Sequence, residues 1–208
     1  TGSLSVAGLM PLLADGKVRV VCFPHCSNVV AAINPVDEIC AMARAAGART
    51  CVDGVSYAPH GFPDMQALGA DVYLFSAYKT YGPHQGIMVL REAFGFELPG
   101  QGHFFNHGTL YKRHTPAGPD HAQIAACAGM ADYVDAIAAA HGIGGEAASR
   151  NMAVHDLMRA QEVAVIAPLR RQLALMAPSV GAEVVRLLDV GSGAGLPGVV
   201  IAICCPDI

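Results

Sequence analysis

Short apolar runs alternate with helical periodicities along most of the chain. Residues 18–23 are short, rich in valine and followed by Pro24, the mark of a buried strand. Asn34 and Pro35 then open a helix, with Asn34 as N-cap, Pro35 in the first helical position and Asp37 and Glu38 in the first turn. Ile39, Met42 and Ala43 form its apolar stripe, and Gly47 ends it. Residues 49–52 predict a second strand, stopped by Asp53 and Gly54. A short helix over about 64–68 ends at Gly69, and residues 72–75 and 87–90 predict two further strands. Strands and helices alternating at these lengths imply right-handed crossovers and an α/β fold, a mostly parallel sheet with flanking helices. From Asp120 the pattern turns helical and alanine-rich through about Leu175, broken once at 142–145. A linker at 178–181 precedes a last strand at 184–190 and a glycine-rich turn. The expected organisation is an α/β core over 1–119, a helical segment over 120–177 and a strand–turn–helix fragment over 178–208.

Composition narrows the function classes. Of 208 residues, 53% are hydrophobic and only 14% charged, with a mean hydropathy of +0.39. A charged share below the ~25% of ordinary soluble domains excludes a disordered, solvated chain. It also implies apolar area hidden against a partner, so a homodimer or higher self-association is expected. Thirteen basic residues against seventeen acidic ones, a net charge of -4, speak against a nucleic-acid partner. No membrane span is expected, because the longest charge-free run near the end, 190–206, contains four glycines and two prolines and its apolar residues do not continue for about 20 positions. The seven cysteines show no framework spacing and read as reduced, mostly buried thiols. With no secretion signal in the sequence, the cytoplasm is the expected location. His25 between Cys22 and Cys26 matches no standard zinc spacing, so no metal is expected.

In an open α/β sheet, ligands sit beyond the carboxyl ends of the strands. Three polar clusters fall there: His25 to Asn28, Asp53 to Ser56, and Ser76 to Lys79. Lysine is the informative residue. The chain has only Lys17, Lys79 and Lys112, and uses arginine for the other ten of its thirteen basic positions. A primary amine can form a Schiff base and a guanidinium cannot, so a lysine directly after a buried strand has a chemical reading. The alternative is a solvated loop lysine.

The pieces around these clusters resemble the class V aminotransferase and cysteine desulfurase family of pyridoxal-phosphate enzymes, of fold type I. They are His25-x-Ser27-Asn28, Asn34-Pro35-Val36-x-Glu38-Ile39, Val52-Asp53-Gly54, Ala58-Pro59-His60, Phe75-Ser76-x-x-Lys79 and Tyr81-Gly82-Pro83-His84. The resemblance covers about residues 18–175. It implies that Lys79 forms the Schiff base with the aldehyde of pyridoxal 5'-phosphate and later moves the α-proton of a small amino-acid substrate. It implies that Asp53 pairs with the pyridine nitrogen, so that the ring acts as an electron sink. Asn28 would bond the phenolic oxygen and Ser76 the phosphate. Ser56 stands where the family often has glutamine, and Tyr78 where it has histidine. Ser56 offers one shorter-reaching hydrogen bond, and Tyr78 an uncharged contact to a phosphate oxygen. No cysteine lies between Cys127 and Cys204, which disfavours persulfide chemistry.

Residues 187–198, with Gly191, Gly193 and Gly195, resemble the first motif of S-adenosylmethionine-dependent methyltransferases, specifically the small-subunit rRNA guanine-N7 family. That resemblance implies S-adenosylmethionine as an alternative ligand, whose carboxylate-bearing end can approach a glycine-rich turn closely. Three functions therefore stay open: a pyridoxal-phosphate enzyme, an inactive structural remnant of that fold, and a methyltransferase-like protein. His103, His107, His114 and His121 look metal-like in their spacing, but they fall in a loop region that the pyridoxal-phosphate resemblance already covers, so no metal is expected there.

Overall fold

The computed structural model describes residues 4–115 and 118–176. The strand expected at 184–190 and the turn carrying Gly191, Gly193 and Gly195 lie outside the described residues.

The elements run α1 (Val6–Leu13), β1 (Val20–Pro24), α2 (Val36–Ala45), β2 (Arg49–Asp53), α3 (Met65–Leu68), β3 (Val72–Ser76), β4 (Gly86–Leu90), α4 (Glu92–Glu97), α5 (Leu110–His114), α6 (His121–Ala126), α7 (Gly129–Ala140) and α8 (Ala147–Met176). The four strands form one sheet in sequence order. β1 pairs parallel to β2 with Phe23 opposite Val52, and β2 pairs parallel to β3 with Val52 opposite Tyr73. β4 runs antiparallel to β3, with Tyr73 opposite Val89. The expected mostly parallel sheet is thus present, and its fourth strand reverses because only residues 77–85, too few for a helical crossover, separate it from β3.

Alternate positions decide the packing. Phe23, Val52 and Tyr73 lie on one face, buried with Val36, Ile39 and Cys40 of α2. Val52 is fully buried and Tyr73 is 1% exposed, and each such side chain contributes about 1.5–3 kcal/mol relative to exposure. α1 closes the same side through Leu9 and Leu13. A second cluster, Val134, Ala138 and Val154, joins α7 to α8.

Local signals account for most boundaries. Asp64 caps α3 by accepting from the Gln66 and Ala67 N–H groups (2.9 and 3.1 Å), and Gly69 ends it at φ +66°. Two expectations fail. Of the five described cysteines only Cys40 is buried, so these thiols are not mostly buried. Asn34 does not cap α2: its amide donates to the Pro24 carbonyl at 2.7 Å, and Pro35 takes the N-cap position without a side-chain bond. Asn34 instead ties the start of the helix to the end of β1, and its burial follows from that bond.

Candidate functional site

Because β1, β2 and β3 are parallel, their carboxyl ends share one edge of the sheet, and antiparallel β4 begins there. That topology brings the three polar clusters together. Asp53 closes β2, in register with Pro24 on one side and Leu74 on the other. Its Oδ1 accepts from the Val55 N–H at 2.9 Å, an Asx-type bond that fixes the turn and leaves the carboxylate exposed. Ser56 is half-buried in that turn, and Ser76 is half-buried at the end of β3, opposite Gly86. Tyr78 and Lys79 lie in a 3-10 turn, Ala77–Lys79, and both are exposed. The Tyr78 ring stacks on His84, centroids 4.5 Å apart. Asn28 is exposed in the turn after β1, where the Ser27 hydroxyl accepts from the Val29 and Val30 N–H groups at 3.3 Å.

Underneath the edge is a group that the sequence pattern did not assign a role. His25 is buried, its Nδ1 lies 2.9 Å from the Tyr73 hydroxyl, and its ring stacks on Tyr57 with centroids 3.5 Å apart. Its backbone N–H donates to the Asp53 carbonyl at 2.7 Å. Burial lowers the His25 pKa from the ordinary 6.5 to about 4. Burial first, then the neighbouring Tyr57 and Asp53, raises that of Tyr73. Both groups therefore stay uncharged at neutral pH, and the pair acts as a hydrogen-bonded strut between the turn after β1 and strand β3, with Tyr57 of the turn after β2 stacked on it. Gly54 reports the same closeness. A Cβ there would fall 2.1 Å from the Tyr73 ring, so only glycine lets the chain pass.

The Lys79 turn is built differently. Tyr81, two residues on, has φ +68°, a left-handed conformation that costs a bulky side chain of order 1–3 kcal/mol. Thr80 is buried; its hydroxyl donates to the Ala77 carbonyl at 2.9 Å and rests 3.1 Å from Met130 Sδ of α7. The Gly82 N–H also donates to the Ala77 carbonyl, at 2.8 Å.

The remaining histidines go elsewhere. His107 Nε2 pairs with the Gly102 carbonyl (3.2 Å) and His114 Nε2 with the Gly95 carbonyl (2.7 Å). His103 and His121 line an open cavity of about 180 Å³ with Tyr111 and Lys112. Among the described residues no three histidine, cysteine or acidic side chains converge as a metal site would require, and no helix is long and apolar enough to cross a membrane.

In an α/β sheet of this kind the carboxyl edge, which here presents a carboxylate, an amine and several hydroxyls, is where ligands bind. The comparisons with known proteins make that specific. The family model of class-V aminotransferases matches residues 1–186, and the chain belongs to that family. An aminotransferase-like protein of Gibberella zeae is 44% identical over 95 residues, 45% of this chain and 24% of the relative. A cysteine desulfurase of Serratia proteamaculans is 40% identical over 99 residues, 47% of this chain and 24% of the relative. The matched stretches thus span about a quarter of these curated relatives. Among solved structures, the apo cysteine desulfurase of Thermococcus onnurineus superposes with a TM-score of 0.53 at 23% identity, over 65% of this chain and 37% of that one. A pyridoxamine–pyruvate aminotransferase of Mesorhizobium loti gives 0.51 at 21% identity, over 64% and 38%. Both show the same fold.

Proposed function

We propose that this chain carries part of the catalytic site of a pyridoxal-phosphate enzyme of the class-V family, acting on a small amino acid. The observation that supports it is the shared sheet edge, where Asp53 closes β2, Lys79 follows the adjacent parallel strand β3, and both are exposed. The donor set suits that cofactor: one carboxylate, one primary amine, and the neutral groups of Asn28, Ser56, Ser76 and Tyr78. When bound, the cofactor supplies an electron sink for the bond broken at the amino acid's α-carbon.

The residues divide the work. Lys79 offers the amine that holds the cofactor aldehyde and, once released, carries the α-proton at Nζ. Asp53 accepts a hydrogen bond from the ring nitrogen and holds a proton there by its charge. Asn28 donates to the phenolic oxygen. Ser76 and Tyr78 donate to phosphate oxygens, and Ser56 supplies a further short-reaching bond near the ring. The His25–Tyr73 strut holds the Asp53 turn without adding charge.

The experiment is reduction with borohydride after incubation with pyridoxal 5'-phosphate, followed by peptide mass mapping. The adduct is expected on Lys79 in preference to Lys17 and Lys112, and Lys79→Ala is expected to lose it at least about a hundred-fold. Labelling spread evenly over the three lysines would refute the proposal.

A further inference from the structure

The turn that bears Lys79 is held out of its relaxed shape from a distant helix. Tyr81 stands at φ +68° without being glycine, one of two non-glycine residues with positive φ among the described residues. Its ring packs against Tyr133 of α7, centroids 4.7 Å apart and tilted by 38°. One turn earlier on α7, Met130 fills the other half of the contact. Its sulfur lies 3.1 Å from the Thr80 hydroxyl, and a Cβ at Gly82 would come within 2.7 Å of it. Met130 lies fifty residues after Thr80 in the chain, and α7 belongs to the helical cluster with α8, not to the sheet core. A left-handed aromatic residue persists only where its surroundings over-determine it, and here those surroundings are Met130 and Tyr133.

We infer that α7 is the brace of the Lys79 turn, and that Tyr133 is a positioning residue: through Tyr81 it aims the Lys79 amine at the ligand position beside Asp53. The inference rests on the function proposed for Lys79 and adds to it how the amine is directed. An exposed lysine needs no brace in order to react with a small free aldehyde. It needs one to meet an aldehyde whose ring is held elsewhere at the same edge. The two kinds of aldehyde therefore separate positioning from plain reactivity.

The test uses the whole chain and two probes, each followed by reduction and mass mapping at Lys79: pyridoxal 5'-phosphate and formaldehyde. Tyr133→Ala is expected to slow capture of pyridoxal 5'-phosphate about ten-fold and to leave methylation by formaldehyde unchanged. Tyr133→Phe, which keeps the ring, is expected to restore capture. Tyr81→Gly, which adopts the same φ without strain, is expected to lose capture while its thermal midpoint does not fall. That result separates positioning from stability even where Tyr133→Ala folds poorly. If the wild-type chain captures pyridoxal 5'-phosphate on Lys79 and Tyr81→Gly captures it equally well, the brace is refuted while the proposed function stands. If the wild-type chain shows no preference for Lys79, the proposed function fails and the brace with it.

Discussion

Two turns meet at the carboxyl edge of the sheet, and they are stabilised by opposite means. The turn after β2 is held from within the sheet. His25, Tyr57 and Tyr73 pack beneath Asp53, with a 2.9 Å hydrogen bond between His25 and Tyr73, and Gly54 removes the one side chain that would collide. The turn after β3 is held from outside. Its lysine is exposed, its Tyr81 is strained, and the contacts that fix it come from Met130 and Tyr133 on a helix of another cluster. The difference teaches that the charged acceptor at this edge is preset by the fold of residues 20–76, whereas the amine depends on the docking of the later helices. Rigid support beneath Asp53 and remote support for Lys79 would let one group stay fixed while the other responds to packing far along the chain.

Substitutions at glycine should separate the two turns most sharply. Gly54→Ala drives a methyl group into the Tyr73 ring and is expected to destabilise by about 3 kcal/mol or more, read as a lowered urea midpoint. Gly86→Ala, at the start of β4 beside the lysine turn, meets nothing within 4 Å and is expected to change stability by less than about 1 kcal/mol. Equal effects would erase the contrast.

Acidification should act on the Asp53 side. The His25 pKa is lowered by burial, so the unfolded chain takes up a proton at pH values where the folded chain does not. Stability contributed by neutral His25 is therefore present above about 6.5 and lost as pH falls toward about 4, to an extent of about 1–3 kcal/mol. Comparing denaturation midpoints at several pH values in wild type and His25→Phe checks this, since the substituted chain should lose that component of the slope. Tyr73→Phe leaves Nδ1 of His25 without its partner and is expected to cost about 1–2 kcal/mol by the same measurement. The smallest effect is expected at His60 and Glu162, a half-exposed pair at 3.6 Å between the sheet edge and α8. Glu162→Gln should shift stability by no more than about 0.5 kcal/mol.

Much of the sheet could be read in the chain because its signals are local. β2, β3 and β4 fall within a residue of the apolar runs that predict them, and α3 is bounded by Asp64 and Gly69 as its caps require. The break near 142–145 also appears, between α7 and α8. What escaped depends on partners far away. Asn34 has every local quality of a helix cap, yet a carbonyl ten residues back claims its amide. α1 carries Pro11 in its interior, and α4 and α5 are too short for their periodicity to register. At the site, the scarcity of lysine marked Lys79, and the Asp53-Gly54 pair marked the end of β2. The His25–Tyr73 strut joins residues 48 apart, and the Tyr81–Tyr133 stack spans a similar distance, so neither leaves a spacing to detect. Gly54 was the one legible hint, as a glycine directly after the acidic residue.

The central claim is that Asp53 and Lys79 serve one ligand at one edge. Capture of pyridoxal 5'-phosphate on Lys79, compared between wild type and Asp53→Ala, tests it most directly, with formaldehyde labelling of the same lysine as the reference. The substitution is expected to cut cofactor capture about ten-fold or more and to leave formaldehyde labelling unchanged. Equal capture by both proteins would contradict it, because the carboxylate would then have no part in holding what the lysine binds.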